Sequence, residues 1–298
     1  MKRLVFALFL ASTAALARAD LAVFATVPEW GALAREIGGG KVSLYVATTA
    51  LQDPHRIEAR PSLLAQARRA DLVVATGADL EAGWLPLVVR DSGNRGIQPG
   101  RPGFFEAASF ASLLDIPRVV DRSHGDVHAA GNPHLHLDPR NVLKVGAALA
   151  ERMAELDPSS AAAYREGFKA FAARWQAAIP RWEQAAAPLR GVPVLSHHGS
   201  FLYLISWLGM KDAGTLEPKP GIEPTRGHLS ALVDAQRVAP ARMVLRTPYN
   251  QEAPSRWVAE KAGIRPVLLP YTVGGTPEAT DLFALFDDTV QRLLAGSR

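Results

Sequence analysis

Short runs of apolar side chains alternate with helical segments along most of this chain, and that alternation is what most restricts its fold. Leu21 to Val27, Val42 to Thr49 and Asp71 to Thr76 read as strands. Pro28 to Ile37, closed by Gly38, Gly39 and Gly40, and Pro61 to Arg69 read as helices between them. Pro61 stands in a first turn, where its missing N–H costs least. Strands that are apolar on consecutive residues need cover on both faces, which points to a parallel sheet between helices. The alternation resumes late in the chain. Val192 to Leu195, Met243 to Leu245 and Pro266 to Leu269 read as strands, and Phe201 to Leu208, Thr225 to Arg237, Pro254 to Ala262 and Asp281 to Ala295 as helices.

Between the two blocks, Pro139 to Leu189 is built mostly from Ala, Leu, Glu, Arg and Lys, with Asp157-Pro158 dividing it into two helices. The second, about Ser160 to Ala187, carries Tyr164, Phe168, Phe171 and Trp175 on one helical face. Pro180 is expected to kink this helix or end it early. The fold class that follows is α/β: two lobes, each a parallel-type sheet flanked by helices, joined by a single long rigid helix. The expected divisions are a signal peptide over 1–19, an N-terminal lobe over 20–158, a connecting helix over 159–189 and a C-terminal lobe over 190–298.

The start of the chain points to export. Lys2 and Arg3 precede an apolar run from Leu4 to Leu16, and Ala17-Arg18-Ala19 gives the small-x-small pattern of a cleavage site. The apolar run is shorter than the roughly 20 residues that span a bilayer. No cysteine follows it, so a free periplasmic protein beginning at Asp20 is expected. Removing Lys2, Arg3 and Arg18 takes 33 Lys+Arg against 29 Asp+Glu to 30 against 29. Neither a strong net charge nor a basic run survives to attract nucleic acid or a membrane surface. The absence of cysteine excludes disulfides and thiolate ligands.

Histidine is then the residue type that can carry chemistry. The chain has eight: His55, His124, His128, His134, His136, His197, His198 and His228. His55 and His198 follow strands, and so does Asp281, after a Gly274-Gly275 loop. Ligands gather at the carboxyl ends of parallel strands. A zinc site without cysteine must use imidazole and carboxylate, though spacing alone does not select which side chains converge.

Four segments occur in order: Asp53-Pro54-His55; Asn132-Pro133-His134-Leu135-His136-Leu137-Asp138-Pro139; Ser196-His197-His198-Gly199-Ser200-Phe201; and Glu217-Pro218-Lys219-Pro220-Gly221-Ile222-Glu223-Pro224. Together they resemble the zinc/manganese substrate-binding proteins of ABC transporters, the cluster A-I solute-binding proteins, over essentially the whole mature chain. The resemblance implies two α/β lobes on one rigid helix, with a metal between them. It implies His55, His134, His198 and Asp281 as metal ligands, with His136 and His197 as neighbours. It makes Zn(2+) the transported ligand ahead of Mn(2+), because relatives selective for manganese carry a carboxylate where His198 stands, and imidazole suits zinc. The implied partner is the membrane permease of the transporter, with a periplasmic metallochaperone as a further one. The protein is expected to act as a monomer in the periplasm, without catalysis.

Glu217 and Glu223 read as structural, and so does His228. Asp53, Asp138 or backbone carbonyls are expected to fix the imidazole tautomers. Relatives of the zinc type carry a long His-rich loop before the second ligand; here Ser123 to His128 holds only His124 and His128, and a flexible polar loop is the expectation, ahead of a loop that collects zinc weakly or hands it to the main site. The competing readings are a periplasmic metallochaperone or adhesin-like binder using the same site, and a zinc hydrolase built on His134-x-His136-x-Asp138. Pro139 stands where a metallo-β-lactamase-like motif would continue to histidine.

Overall fold

The computed structural model describes residues 20–117 and 128–298; the expected leader and His124 lie outside them. Strands β1 (Leu21–Ala25), β2 (Val42–Val46), β3 (Leu72–Ala75) and β4 (Phe104–Glu106) form one sheet in the order β2-β1-β3-β4. Strands β5 (Pro193–Ser196), β6 (Lys211–Thr215), β7 (Met243–Arg246) and β8 (Arg265–Leu268) form a second in the order β6-β5-β7-β8. Every pairing is parallel. In each sheet the chain leaves the first strand to one side and returns on the other. Connections diverge there and open a crevice at the carboxyl ends.

The strand alternation explains the layers. Val23, Ala25, Leu72 and Val74 enter one core cluster, while Phe24, Val73 and Ala75 enter another on the opposite face. In the second sheet Val194, Met243 and Leu245 join the first cluster, whereas Leu195 and Val244 face a third. A single apolar core therefore runs through both lobes, with a smaller one outside each sheet. The helices that cover the sheets are α1 (Pro28–Gly38), α2 (Pro61–Arg69), α3 (Leu85–Asp91), α4 (Pro139–Leu156), α5 (Ala161–Ala185), α6 (Leu202–Leu208), α7 (Arg226–Gln236), α8 (Glu252–Ala262) and α9 (Leu282–Ser297).

The long helix α5 is the common member. Its buried stripe, Tyr164, Phe171, Trp175, Ala178 and Trp182, extends the face read from the sequence by two turns. Gly167 lets its backbone pass against the Ile37 carbonyl of α1; a Cβ there would overlap that group. Trp175 packs edge-on against Phe283 and Phe286 of α9 at 4.9 and 5.3 Å, and Trp182 stacks on Phe286 at 4.9 Å. The two indoles also donate to the Pro139 carbonyl (2.8 Å) and to Asp287 Oδ1 (2.6 Å). Pro180 neither ends nor shortens the helix. Proline removes one helical hydrogen bond, and the indoles on either side hold the turn in place.

Edge strands β4 and β6 and helix α3 were not legible in the sequence. β6 is Lys-Asp-Ala-Gly-Thr with its first two residues exposed, and a polar edge of this kind protects a sheet rather than announcing a strand. A Gly167→Ala substitution should force α1 and α5 apart and cost roughly 1–3 kcal/mol of stability, the usual price of overpacking. Urea denaturation checks this, and an unchanged midpoint would contradict the close approach.

Candidate metal centre

Three imidazoles converge at the mouth of the crevice. His55 lies in the loop after β2, His198 follows β5, and His134 precedes the helical turn Leu135–Leu137 that leads into α4. Their ligand nitrogens all lie within 4.8 Å of one another. The ring centroids stand 5.4 Å (His55–His134), 5.5 Å (His55–His198) and 5.3 Å (His134–His198) apart. A zinc–nitrogen bond of about 2.0–2.1 Å puts an imidazole centroid about 3.2 Å from the ion, so rings on tetrahedral vertices stand about 5.2 Å apart. The observed triangle has that size.

Each ring is held from behind through Nδ1. The Asp53 carboxylate accepts from the His55 backbone N–H at 3.0 Å and lies 2.8 Å from His55 Nδ1. Glu217 Oε2 lies 2.7 Å from His198 Nδ1 and accepts from the Gly221 N–H at 2.8 Å. The Tyr271 hydroxyl lies 2.8 Å from His134 Nδ1. A carboxylate on Nδ1 makes that nitrogen the donor and leaves the Nε2 lone pair to face a metal. Nε2 of His55 and of His134 are buried with no hydrogen-bond partner. A buried polar nitrogen left unpaired costs about 1–3 kcal/mol; two of them aimed together mark a site built for a cation. Asn132 ties the loops into one unit, its Oδ1 accepting from the His134 N–H (3.0 Å) and its Nδ2 donating to the Gly199 carbonyl (2.9 Å).

The electrostatics agree with a neutral His134 ring. Burial drives His134 well below its ordinary pKa, and the facing imidazoles push the same way. Burial alone would raise Asp53, but hydrogen bonds and charge from His55 outweigh it and hold the carboxyl below its usual value. Glu217 behaves likewise beside His198 and the Gly221 N–H. Tyr271 is held at φ +63°, a left-handed conformation costing a non-glycine residue roughly 1–2 kcal/mol, which fits a position fixed by its role.

Asp281 is not brought to this group. Its Oδ1 caps α9 by accepting from the Ala284 N–H at 2.9 Å, and it lines a separate, exposed hollow with Arg35, Glu36 and Leu51. A cap that spends its oxygen on the first turn is the ordinary use of an aspartate there. Asp138 also turns away, capping α4 and pairing with Arg140. His136 is buried; its Nε2 lies 2.8 Å from the Tyr271 carbonyl and its Nδ1 3.2 Å from Glu29, so it braces Tyr271. His197 is buried beside the cluster, and burial pushes its imidazole down to about 4. His228 Nε2 reaches the Thr215 carbonyl at 2.9 Å. Glu223 lines the mouth of the crevice, and Glu217 is a ring-holding residue rather than a purely structural one. His128, expected in a polar loop, has its ring 5.3 Å from that of His55 and a buried, unpartnered Nε2. Tyr271 went unnoticed in the sequence; an aromatic at the carboxyl end of β8 is the one signal that pointed to it.

The family described as zinc-uptake complex component A, periplasmic (ZnuA) matches residues 23–296, and the chain belongs to it. This places it among the substrate-binding proteins of metal ABC transporters, which are not enzymes, and the hydrolase reading falls with it. It is similar to SloC, a metal ABC transporter substrate-binding lipoprotein of Streptococcus mutans serotype c, with 21% identity over 262 residues, or 86% of this chain and 82% of that one. It is 27% identical over 115 residues to the high-affinity zinc uptake system protein ZnuA of Brucella abortus, covering 39% of this chain and 34% of that one. In fold it is similar to the crystal structure of ZnuA (TM-score 0.77, 21% identity, 94% of this chain and 100% of that one). It is also similar to FpvC of Pseudomonas aeruginosa in complex with Mn2+ (TM-score 0.72, 20% identity, 93% and 99%).

The depressed histidines set a pH dependence. Below about 6.5, the ordinary value, an unfolded chain takes up protons that His134, His128 (about 3) and His197 (about 4) refuse when folded. Folding stability is therefore lost as pH falls, by up to about 1.4 kcal/mol per pH unit for each imidazole. Asp53 and Glu217, held low in the fold, contribute with the same sign at lower pH. The urea midpoint of the metal-free protein should be flat above pH 7 and drop steeply between 6.5 and 4. A midpoint that stays flat down to pH 5 would contradict the buried, neutral rings.

Proposed function

From its place among the substrate-binding proteins of metal ABC transporters, we propose that this chain captures Zn(2+) with the Nε2 atoms of His55, His134 and His198. It hands the ion to the membrane permease of its transporter. The observation that carries this reading is the convergence of three imidazoles whose Nδ1 atoms are engaged by Asp53, Tyr271 and Glu217. Three nitrogen donors favour zinc over manganese, which takes carboxylate and water oxygen. The carboxylates here stand behind the rings, where they orient and polarise them. The work is done outside the cytoplasm, after removal of residues 1–19. A manganese or mixed-metal role is the second reading, raised by relatives such as the manganese ABC transporter substrate-binding lipoprotein PsaA of Streptococcus pneumoniae.

Metal competition decides between the two. Calorimetry in the presence of a chelator should show zinc displacing manganese, and His134→Ala should abolish tight zinc binding. Equal affinity for the two ions would favour the mixed-metal role; an unchanged His134→Ala would sink the site. Glu217→Gln and Tyr271→Phe leave all three rings in place and should weaken zinc binding by about 10–100-fold, the usual effect of losing a partner behind a metal ligand.

A further inference from the structure

We propose that His128 supplies a fourth zinc ligand through Nε2, making the site entirely imidazole, and that Asp79 is the residue that positions it. This rests on the zinc-capture reading above and concerns the vertex that His55, His134 and His198 leave open.

The His128 ring stands 5.3 Å from that of His55, close to the roughly 5.2 Å of tetrahedral zinc, while its ligand nitrogen stands outside the 4.8 Å within which His55, His134 and His198 already lie, so it has to close in as the ion binds. Its Nε2 is buried without a partner, in the same condition as Nε2 of His55 and His134. Each of these buried nitrogens forfeits hydrogen bonding to no purpose unless a cation takes its lone pair. No carboxylate among the described residues joins the cluster. Asp53 and Glu217 are engaged on Nδ1, and Asp281 caps α9.

The backbone around His128 is fastened. Asp79 Oδ2 accepts from the Ala129 N–H at 3.0 Å, the His128 carbonyl accepts from the Gly131 N–H at 3.1 Å, and the Leu114 carbonyl accepts from the Asn132 N–H at 2.8 Å. Gly131 takes φ +116°, where a Cβ would crowd the Leu114 carbonyl. Asp79 closes a run of left-handed residues after β3: Gly77 (φ +76°), Ala78 (φ +46°) and Asp79 (φ +65°). Two non-glycine residues in that region store strain, which persists where the fold imposes it for a purpose. The purpose visible here is to present a carboxylate, from the carboxyl end of a first-lobe strand, to the residue following His128. Four nitrogen ligands close the tetrahedron, leave no position for an activated water, and widen the preference for zinc over manganese.

X-ray absorption on the zinc-loaded parent protein tests the ligand count without any substitution. Four imidazole scatterers are expected; three imidazoles with an oxygen would overturn the proposal. His128→Ala should weaken zinc binding by at least the 10–100-fold seen for groups behind a ligand while leaving manganese binding nearly unchanged, and should alter the visible spectrum of the Co2+-loaded protein. Asp79→Ala should give a smaller loss of zinc affinity that vanishes in the His128→Ala background, as coupling through one residue requires. A loss that persists there would overturn the positioning role. Zinc affinity and a cobalt spectrum unchanged in His128→Ala, with binding lost in His134→Ala, would overturn the fourth ligand and leave the capture reading standing. Binding unchanged in both would sink the capture reading itself. Matching urea midpoints of the metal-free variants separate a lost ligand from a lost fold.

Discussion

A neutral imidazole has one nitrogen that donates and one that accepts, and the metal centre depends on which is which. When Asp53 and Glu217 accept hydrogen bonds from the Nδ1–H groups of His55 and His198, the Nε2 lone pairs are turned toward the metal position. The lone pairs of His55 and His134, buried and without hydrogen bonds, are unfavourable until a cation arrives. Strained Tyr271 adds to that cost, and the rest of the fold offsets it, in part through the hydrogen bonds that lock Asn132, Gly199 and Gly221 around the rings. The protein is thus preorganised for an ion at the expense of its metal-free stability.

Preorganisation across two lobes demands that the lobes hold their relative position. His55 belongs to the first sheet, His198 and Tyr271 to the second, and His134 to the segment between them. The α5 stripe meets this demand, because it reaches α1 through Gly167 and α9 through Trp175 and Trp182 within one continuous core. At the other side of the crevice, Arg56 beside His55 donates to the Gly221 carbonyl of the second lobe at 2.8 Å. Gly221 in turn donates to Glu217, behind His198. The mouth of the site and its ligand shell are therefore joined by one chain of hydrogen bonds.

Much of this was legible in the sequence. Central strands β1 and β3 are apolar on every residue, β5 and β7 on all but the last, and these runs announced a parallel sheet, as the aromatic spacing of α5 announced its buried face. The edge strands β4 and β6 stayed hidden because short or polar edges carry no periodicity. His55, His134 and His198 came from motifs at strand ends together with family resemblance. Asp281 was named by the same resemblance, yet its local chemistry as a helix cap governs its place. The place of His128 beside His55 and the role of Tyr271 were illegible for a different reason. Their contacts depend on left-handed backbone at Asp79 and Tyr271, and nothing in those residue types signals φ above zero.

The central claim is that the fold fixes the tautomers before metal binds. Nitrogen-15 NMR of the imidazoles in the metal-free protein near neutral pH reads this directly. The account predicts Nδ1–H tautomers for His55, His134 and His198, with their Nε2 resonances alone shifting toward metal-bound values as zinc is added. Nε2–H tautomers in the metal-free protein, or zinc-induced shifts at Nδ1, would contradict it.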